Sequence, residues 1–248
     1  MSYFLLAAIY VFPCVFSPCY TCTTSSKVAI PEQARTLHGT PPITPHISDV
    51  DNFLTHCHRR RYPNRATIIY EGDSCDTLYY IISGSVSVVL EDNGGKEVIV
   101  AYLNPGDFLG EMGLFEQTED RSAWCRTRNQ SEIAEISYAN FNAYVHGHPE
   151  IVFTIGRQMA TRLRNTTRKV GDLSFFDVTG RVARTLIDLA KEPDAMTHPL
   201  GMQIRITRQE IGRIVNCSRE MAGRVLKNLE EQELVSVSGK TIVVFGTR

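Results

Sequence analysis

Two stretches of this 248-residue chain carry side chains whose types and spacing can do chemistry. The first is FLGEMGLFEQTEDRSAW, Phe108 to Trp124. Gly110 and Gly113 flank an expected helical turn whose free backbone N–H groups can receive an anion. Arg121 and Ser122 follow on an expected strand and can grip a phosphate by charge and hydroxyl donation. Glu111 would be repelled by a phosphate, so it is assigned to accept a hydrogen bond from a ribose hydroxyl. Thr166 and Thr167 lie at or beside an otherwise apolar helix seam, where a polar side chain needs a partner. A base held between the sheet region and that helix would supply one.

The second stretch is residues 205–228, where Arg205, Arg208, Arg213, Arg219, Arg224 and Lys227 outnumber Glu210 and Glu220. The formal net charge of the chain is only −1, which excludes a protein that coats nucleic acid indiscriminately. Its basic charge is focused, as a sequence reader requires. Thr207-Arg208-Gln209-Glu210 fits a capping box, with the Thr and Glu side chains each satisfying the other's free backbone donor. Asn216-Cys217 then breaks the chain, and Ser218 is a good N-cap for a second helix, SREMAGRVLKNL. At 100° per residue, Arg219, Glu220, Gly223, Arg224 and Lys227 share one face, while Met221, Ala222, Val225, Leu226 and Leu229 share the other. A polar stripe by itself is usually a solvated face. Two short helices joined by a tight turn, with Arg-Glu opening the second, instead describe a recognition helix for the major groove. Arginine donates twice to guanine O6 and N7, and glutamate accepts from cytosine N4, so Arg219, Glu220 and Arg224 suit G·C pairs.

The elements that must position these groups can be read in outline. Residues 1–50, with Pro31, Pro41, Pro42 and Pro45, read as an unstructured leader. Its apolar run Tyr3–Phe16 is too short to span a bilayer, and no Lys or Arg precedes Lys27, so a dispensable extension is expected rather than a signal or a membrane anchor. Residues 51–148 carry short β-rich runs, such as TLYYIISGSVSVVL and KEVIVAYL, separated by turn signals, and predict a compact β-roll. From 149 to 176, Val152, Ile155, Met159, Leu163, Thr166, Val170 and Leu173 recur at spacings of three or four residues, the seam of a two-stranded coiled coil. A helix packed on its own domain would leave the same stripe. A hinge is placed at 177–180, and 181–248 has the outline of a winged helix-turn-helix. The fold class is therefore α+β. Seven scattered cysteines point to a reduced, cytoplasmic protein. No catalytic constellation emerges, and His56-Cys57-His58 and His146-Gly147-His148 lack a fourth ligand, so no metal is expected.

In this order the two elements closely resemble the cyclic-AMP receptor proteins, the catabolite-activator family of bacterial regulators. The resemblance spans Asp51 to Arg248 and rests on YLNPGDFLGEMGLFE, DRSAW, AEISY, RKVGDL, DVTGRVARTL, PDAMTHP, ITRQEIGRIV, CSREM and GTR. It implies a homodimer that binds cyclic AMP (cAMP) through Gly110, Glu111, Arg121 and Ser122, with Thr166 on adenine and Thr167 reaching across the dimer. It makes Arg208, Gln209, Ser218, Arg219, Glu220, Arg224 and Lys227 contacts to double-stranded DNA. RNA polymerase is an implied partner, through Ala195, Thr197, His198 and Gly201 in a loop and through His58, Arg60, Glu135 and Asn140 in a second patch. Leu200 and Asn140 depart from the acidic and lysine residues usual there.

Two alternatives keep this fold and change the signal. Cys14, Cys19 and Cys22 have the spacing of some iron–sulfur ligands, but the Arg121-Ser122 grip would then have no purpose. Relatives that bind cyclic di-GMP are the nearer rival, against which Arg121-Ser122 and Thr166 favour the single-ring nucleotide. The DNA-reading end excludes a cyclic-nucleotide module that regulates a kinase or channel.

Overall fold

The computed structural model describes residues 50–116 and 120–247. The leader, its apolar run and Cys14, Cys19 and Cys22 lie outside the described residues. Along the chain come α1 (Val50–Thr55), β1 (His58–Tyr62), β2 (Thr67–Ile69), β3 (Thr77–Ser83), β4 (Val86–Glu91), β5 (Glu97–Leu103), β6 (Phe108–Leu109), α2 (Met112–Phe115), β7 (Trp124–Thr127), β8 (Ser131–Ser137) and α3 (Tyr138–Val145). The strands form two antiparallel sheets, β1-β8-β3-β6 and β2-β7-β4-β5. Their inward residues, including Ile69, Ile81, Val86, Leu109, Cys125 and Ile133, fill the interior between them. Burial pushes the Cys125 thiol up to about 12, so it acts there as a small apolar filler.

The long helix α4 (Glu150–Phe175) packs along only part of its length. Ile151, Ile155 and Gln158 turn onto the β-roll, where the two isoleucines pack against Phe53, Phe108 and Tyr144. Gln158 accepts from Phe108 N at 2.9 Å and donates to Gly106 O at 2.8 Å, pinning the turn before β6. The expected seam is corrected in this first third: Ile155 is fully buried in the protomer's own core, and Val152 and Met159 pack partly against it. Periodicity could not separate the two surfaces because both stripes run along one helix. Beyond it, Leu163, Val170 and Leu173 stand 70%, 58% and 52% exposed, an apolar stripe left largely uncovered by the described residues.

The helical break is shorter than 177–180. Asp177 caps α5 (Val178–Leu189), accepting from Gly180 N at 2.8 Å, so only Phe176 and Asp177 separate the helices. The remainder comprises β9 (Met196–His198), β10 (Gly201–Arg205), α6 (Arg208–Val215), α7 (Arg219–Glu231), β11 (Val235–Ser238) and β12 (Thr241–Phe245). A sheet ordered β11-β12-β10-β9 backs the helices, and Val182, Leu186, Ile211, Leu226 and Ile242 form the shared core. The loop expected to carry Ala195, Thr197, His198 and Gly201 is thus largely a hairpin, β9 paired with β10.

Candidate ligand pocket and nucleic-acid interface

The pocket grows from the turn after β6. Gly110 has φ +76°, a left-handed conformation that glycine adopts without a Cβ penalty. A Cβ there would lie 2.5 Å from Arg121 Nη1, so the glycine also makes room for the guanidinium. Gly113 falls inside α2 rather than flanking it, and no side chain caps that helix.

Arg121 is 6% exposed and donates to Gly110 O and the Tyr138 hydroxyl at 3.0 Å each and to Thr77 O at 2.6 Å. Tyr138 in turn donates to Gly110 O. Burial, opposed by the Arg121 cation, pushes the Tyr138 phenol up, so it remains a neutral donor. Among the described residues no carboxylate lies within ion-pair distance of Arg121. A buried guanidinium satisfied only by carbonyls and a phenol retains an uncompensated charge, the condition that favours an incoming anion.

Glu111, 8% exposed, is held by a cation that sequence reasoning missed: Arg162 Nη1 donates to its Oε1 at 2.7 Å. Arg162 also donates to Phe108 O. It lies on the roll-facing stripe of α4, one turn before Thr166, but neither its partner Glu111 nor Tyr138 is near it in sequence. The expected strand is corrected here: Arg121 and Ser122 lie in the loop just before β7, and Ser122 is exposed, with its hydroxyl 3.8 Å from Met112 sulfur.

Gly110, Glu111 and Arg121 are therefore brought together, whereas Thr166 and Thr167 are exposed on α4 and touch none of them in the protomer. Thr166 instead lines a cavity of about 510 Å³ with Val98, Val100, Lys169, Val170 and Leu173.

In the C-terminal unit, Ser218 accepts from Met221 N at 3.1 Å and fixes the start of α7. Between the helices Asn216 adopts φ 56°, and a Cβ on Gly212 would meet Cys217 O at 2.6 Å, so the tight turn depends on a glycine. Ala222, Val225, Leu226 and Leu229 are buried, leaving Arg219, Glu220, Arg224 and Lys227 exposed on the opposite face. Among the described residues Arg219, Glu220 and Arg224 have no ion-pair partner, and Lys227 has only an exposed Glu231 at 3.6 Å. The Glu220 carboxyl is held below its usual range, first by its own backbone N–H and then by the Ser218 hydroxyl. It is thus an acceptor at neutral pH. Arg208 and Gln209 are exposed at the start of α6. Arg213 is diverted, pairing with Glu97 at 3.0 Å.

Of the residues expected to meet polymerase, Thr197 and His198 lie on β9, with Ala195 just before it. Gly201, at the start of β10, is buried, and a Cβ there would lie 2.0 Å from Val244 O, so the close approach of β12 requires a glycine. His58 and Glu135 face each other in the β1–β8 register, and Glu135 accepts from the Tyr62 hydroxyl at 2.6 Å.

Residues 59–148 match the cyclic nucleotide-binding domain model and residues 180–245 the Crp-like helix-turn-helix domain model. The chain is 64% identical over 208 residues to the cAMP-activated global transcriptional regulator Vfr of Pseudomonas aeruginosa, covering 83% of this chain and 97% of that protein. It is 58% identical over 196 residues to the cAMP-activated global transcriptional regulator CRP of Salmonella typhimurium, covering 79% and 93%. Among solved structures, the c-di-GMP responsive global regulator CLP of Xanthomonas campestris superposes with a TM-score of 0.75 at 49% identity, covering 80% of this chain and 98% of that one.

Proposed function

The chain belongs to the cyclic-AMP receptor protein family of transcription regulators, and from that premise we propose that it is a homodimeric, cAMP-dependent reader of near-palindromic promoter DNA. The observation that carries the reading is Arg121: a buried cation without a carboxylate partner among the described residues, beside Gly110 and Glu111, in a chain that also exposes the Arg219-Glu220-Arg224 face. The phosphate would meet Arg121 and Ser122, and the ribose would meet Glu111, oriented by Arg162. Thr166 and the partner protomer's copy of Thr167 would close on the base once α4 pairs with its counterpart. Binding at that junction then favours one arrangement of the dimer over others. The recognition helices would stand about 34 Å apart, the spacing already established for helix-turn-helix dimers such as the catabolite activator.

Cyclic AMP is favoured over cyclic di-GMP by the names of the Vfr and CRP relatives, which are more similar to this chain than CLP is. The iron–sulfur alternative rests on Cys14, Cys19 and Cys22, which lie outside the described residues, and the cAMP-activated relatives Vfr and CRP favour the nucleotide instead. RNA polymerase contact through Ala195, Thr197, His198, His58 and Glu135, and a cytoplasmic location, follow from the same family reading. Among the described residues no helix is long and apolar enough to cross a membrane.

Measuring binding to a near-palindromic operator with and without cAMP tests the reading. Equal affinity in both conditions would overturn it. Two variants probe its parts. Gly110→Ala is expected to weaken cAMP binding at least about tenfold in calorimetry, because the new methyl displaces Arg121 and strains a left-handed residue by about 1–3 kcal/mol. Arg224→Ala is expected to cost about 1–3 kcal/mol of discrimination at a single base pair, read by competition between operators differing at that pair. A uniform loss across all operators would instead make Arg224 a phosphate contact.

A further inference from the structure

Glu210 does not complete the capping box that the sequence describes. Its backbone N–H donates to Thr207 Oγ1 at 3.1 Å, but its carboxylate turns away to the β-roll. There it accepts from the Tyr102 hydroxyl on β5 at 2.6 Å and lies 3.8 Å from Arg128 Nε. The Arg128 guanidinium stacks 3.8 Å from the centre of the Tyr102 ring, and its Nη1 pairs with Asp194 at 3.3 Å. Only 14% of the Arg128 side chain is exposed, so this contact is shielded from the solvent that weakens surface ion pairs. Asn104 donates to Glu192 at 2.7 Å and Arg213 pairs with Glu97 at 3.0 Å, so the bridging contacts continue on either side.

We propose that Tyr102, Arg128 and Glu210 form a clasp by which the nucleotide-binding roll holds the DNA-reading unit directly, in parallel with the connection through α4. Both strands leading to the clasp also lead to the pocket. The segment from Arg121 and Ser122 runs through β7 to Arg128. From Tyr102, the chain continues through the turn at Gly106, which Gln158 holds, to Phe108 and Gly110. In the clasped arrangement Arg208, Gln209, Arg219, Glu220 and Arg224 all remain exposed. Gln209 and Arg219 face Gly95, Lys96 and Glu97 of the β4–β5 turn across a shared cavity but are not buried by them, so in the proposed scheme the clasped arrangement is the one that reads DNA. This inference rests on the DNA-reading function proposed above.

The test compares Tyr102→Phe, Arg128→Met, Glu210→Met and the Tyr102→Phe/Glu210→Met pair in the full-length, cAMP-saturated protein. Tyr102→Phe keeps the ring beneath Arg128, and the helix cap needs only the Glu210 backbone. Each single variant is expected to lower operator affinity about fivefold while cAMP affinity measured by calorimetry stays within twofold. The Tyr102 and Glu210 effects should be non-additive, the pair being no worse than the weaker single, because both remove one contact. Hydrogen exchange without DNA should quicken in β5 and α6 alone. Fully additive effects with unchanged exchange, or a gain in operator binding without nucleotide, would overturn the clasp. Failure of the unmodified protein to bind any operator would instead overturn the proposed function, while the exchange measurement still decides the clasp.

Discussion

Arg121→Leu protein is expected to lose cAMP binding by at least about thirtyfold, and with it all nucleotide-dependent operator binding, while remaining folded. Removing one member of a buried, hydrogen-bonded charge pair costs about 2–5 kcal/mol, and each 1.4 kcal/mol is a factor of about ten in affinity. The substitution leaves Gly110 O with its donor from Tyr138, but Thr77 O loses the Arg121 donor. A modest loss of stability therefore accompanies the loss of binding. Arg121→Lys separates charge from geometry. It keeps the positive charge but not the fork that reaches two acceptors at once, so an intermediate affinity is expected. Calorimetry with cAMP, alongside thermal unfolding, checks both variants. Near-normal affinity in the folded leucine variant would place the phosphate elsewhere.

The second large effect concerns α4. Leu163→Asp combined with Leu173→Asp is expected to convert the dimer into single subunits in sedimentation and to lower affinity for a full palindromic operator at least about a hundredfold, because linked half-site binding is worth about 10²–10⁴. Both leucines are at least half exposed in the protomer, at 70% and 52%, so the substitutions disturb no core of the single chain. Ile155 is the contrasting position. Fully buried against the roll, Ile155→Ala is expected to cost about 2–5 kcal/mol of stability without first dissociating the dimer. A double-aspartate protein that still sedimented as a dimer would remove α4 from the interface.

How much was legible in the sequence depended on how far each signal reached along the chain. α7 could be read nearly whole, since the Ser218 cap, the buried Ala222-Val225-Leu226-Leu229 face and the charged face all lie within one helix. The pocket was legible as a set of residue types, Gly110-Glu111 and Arg121-Ser122, because each pair sits beside its own turn or strand. Arg162 was not: its chemistry depends on Glu111, 51 positions away, and its place beside an apolar stripe resembled an ordinary solvated helix residue. The α4 stripe reads as one seam although its first third packs on the protomer's own roll, for the periodicity of a helix does not identify what covers it.

By itself, then, the sequence determined the local order: a β-rich roll, a long amphipathic helix, and a capped helix pair with focused charge, each dictated by spacing, caps and turn residues within a few positions. Only the tertiary structure decided where the charges point. It sent the Glu210 carboxylate to Tyr102 across 108 positions rather than back to its own helix start, and it buried Arg121 among carbonyls instead of leaving it beside an acid. The physical reason is that a long, flexible charged side chain has several partners within reach. Which one it takes is set by burial and by the competing acceptors that distant strands bring near, and no local pattern encodes these.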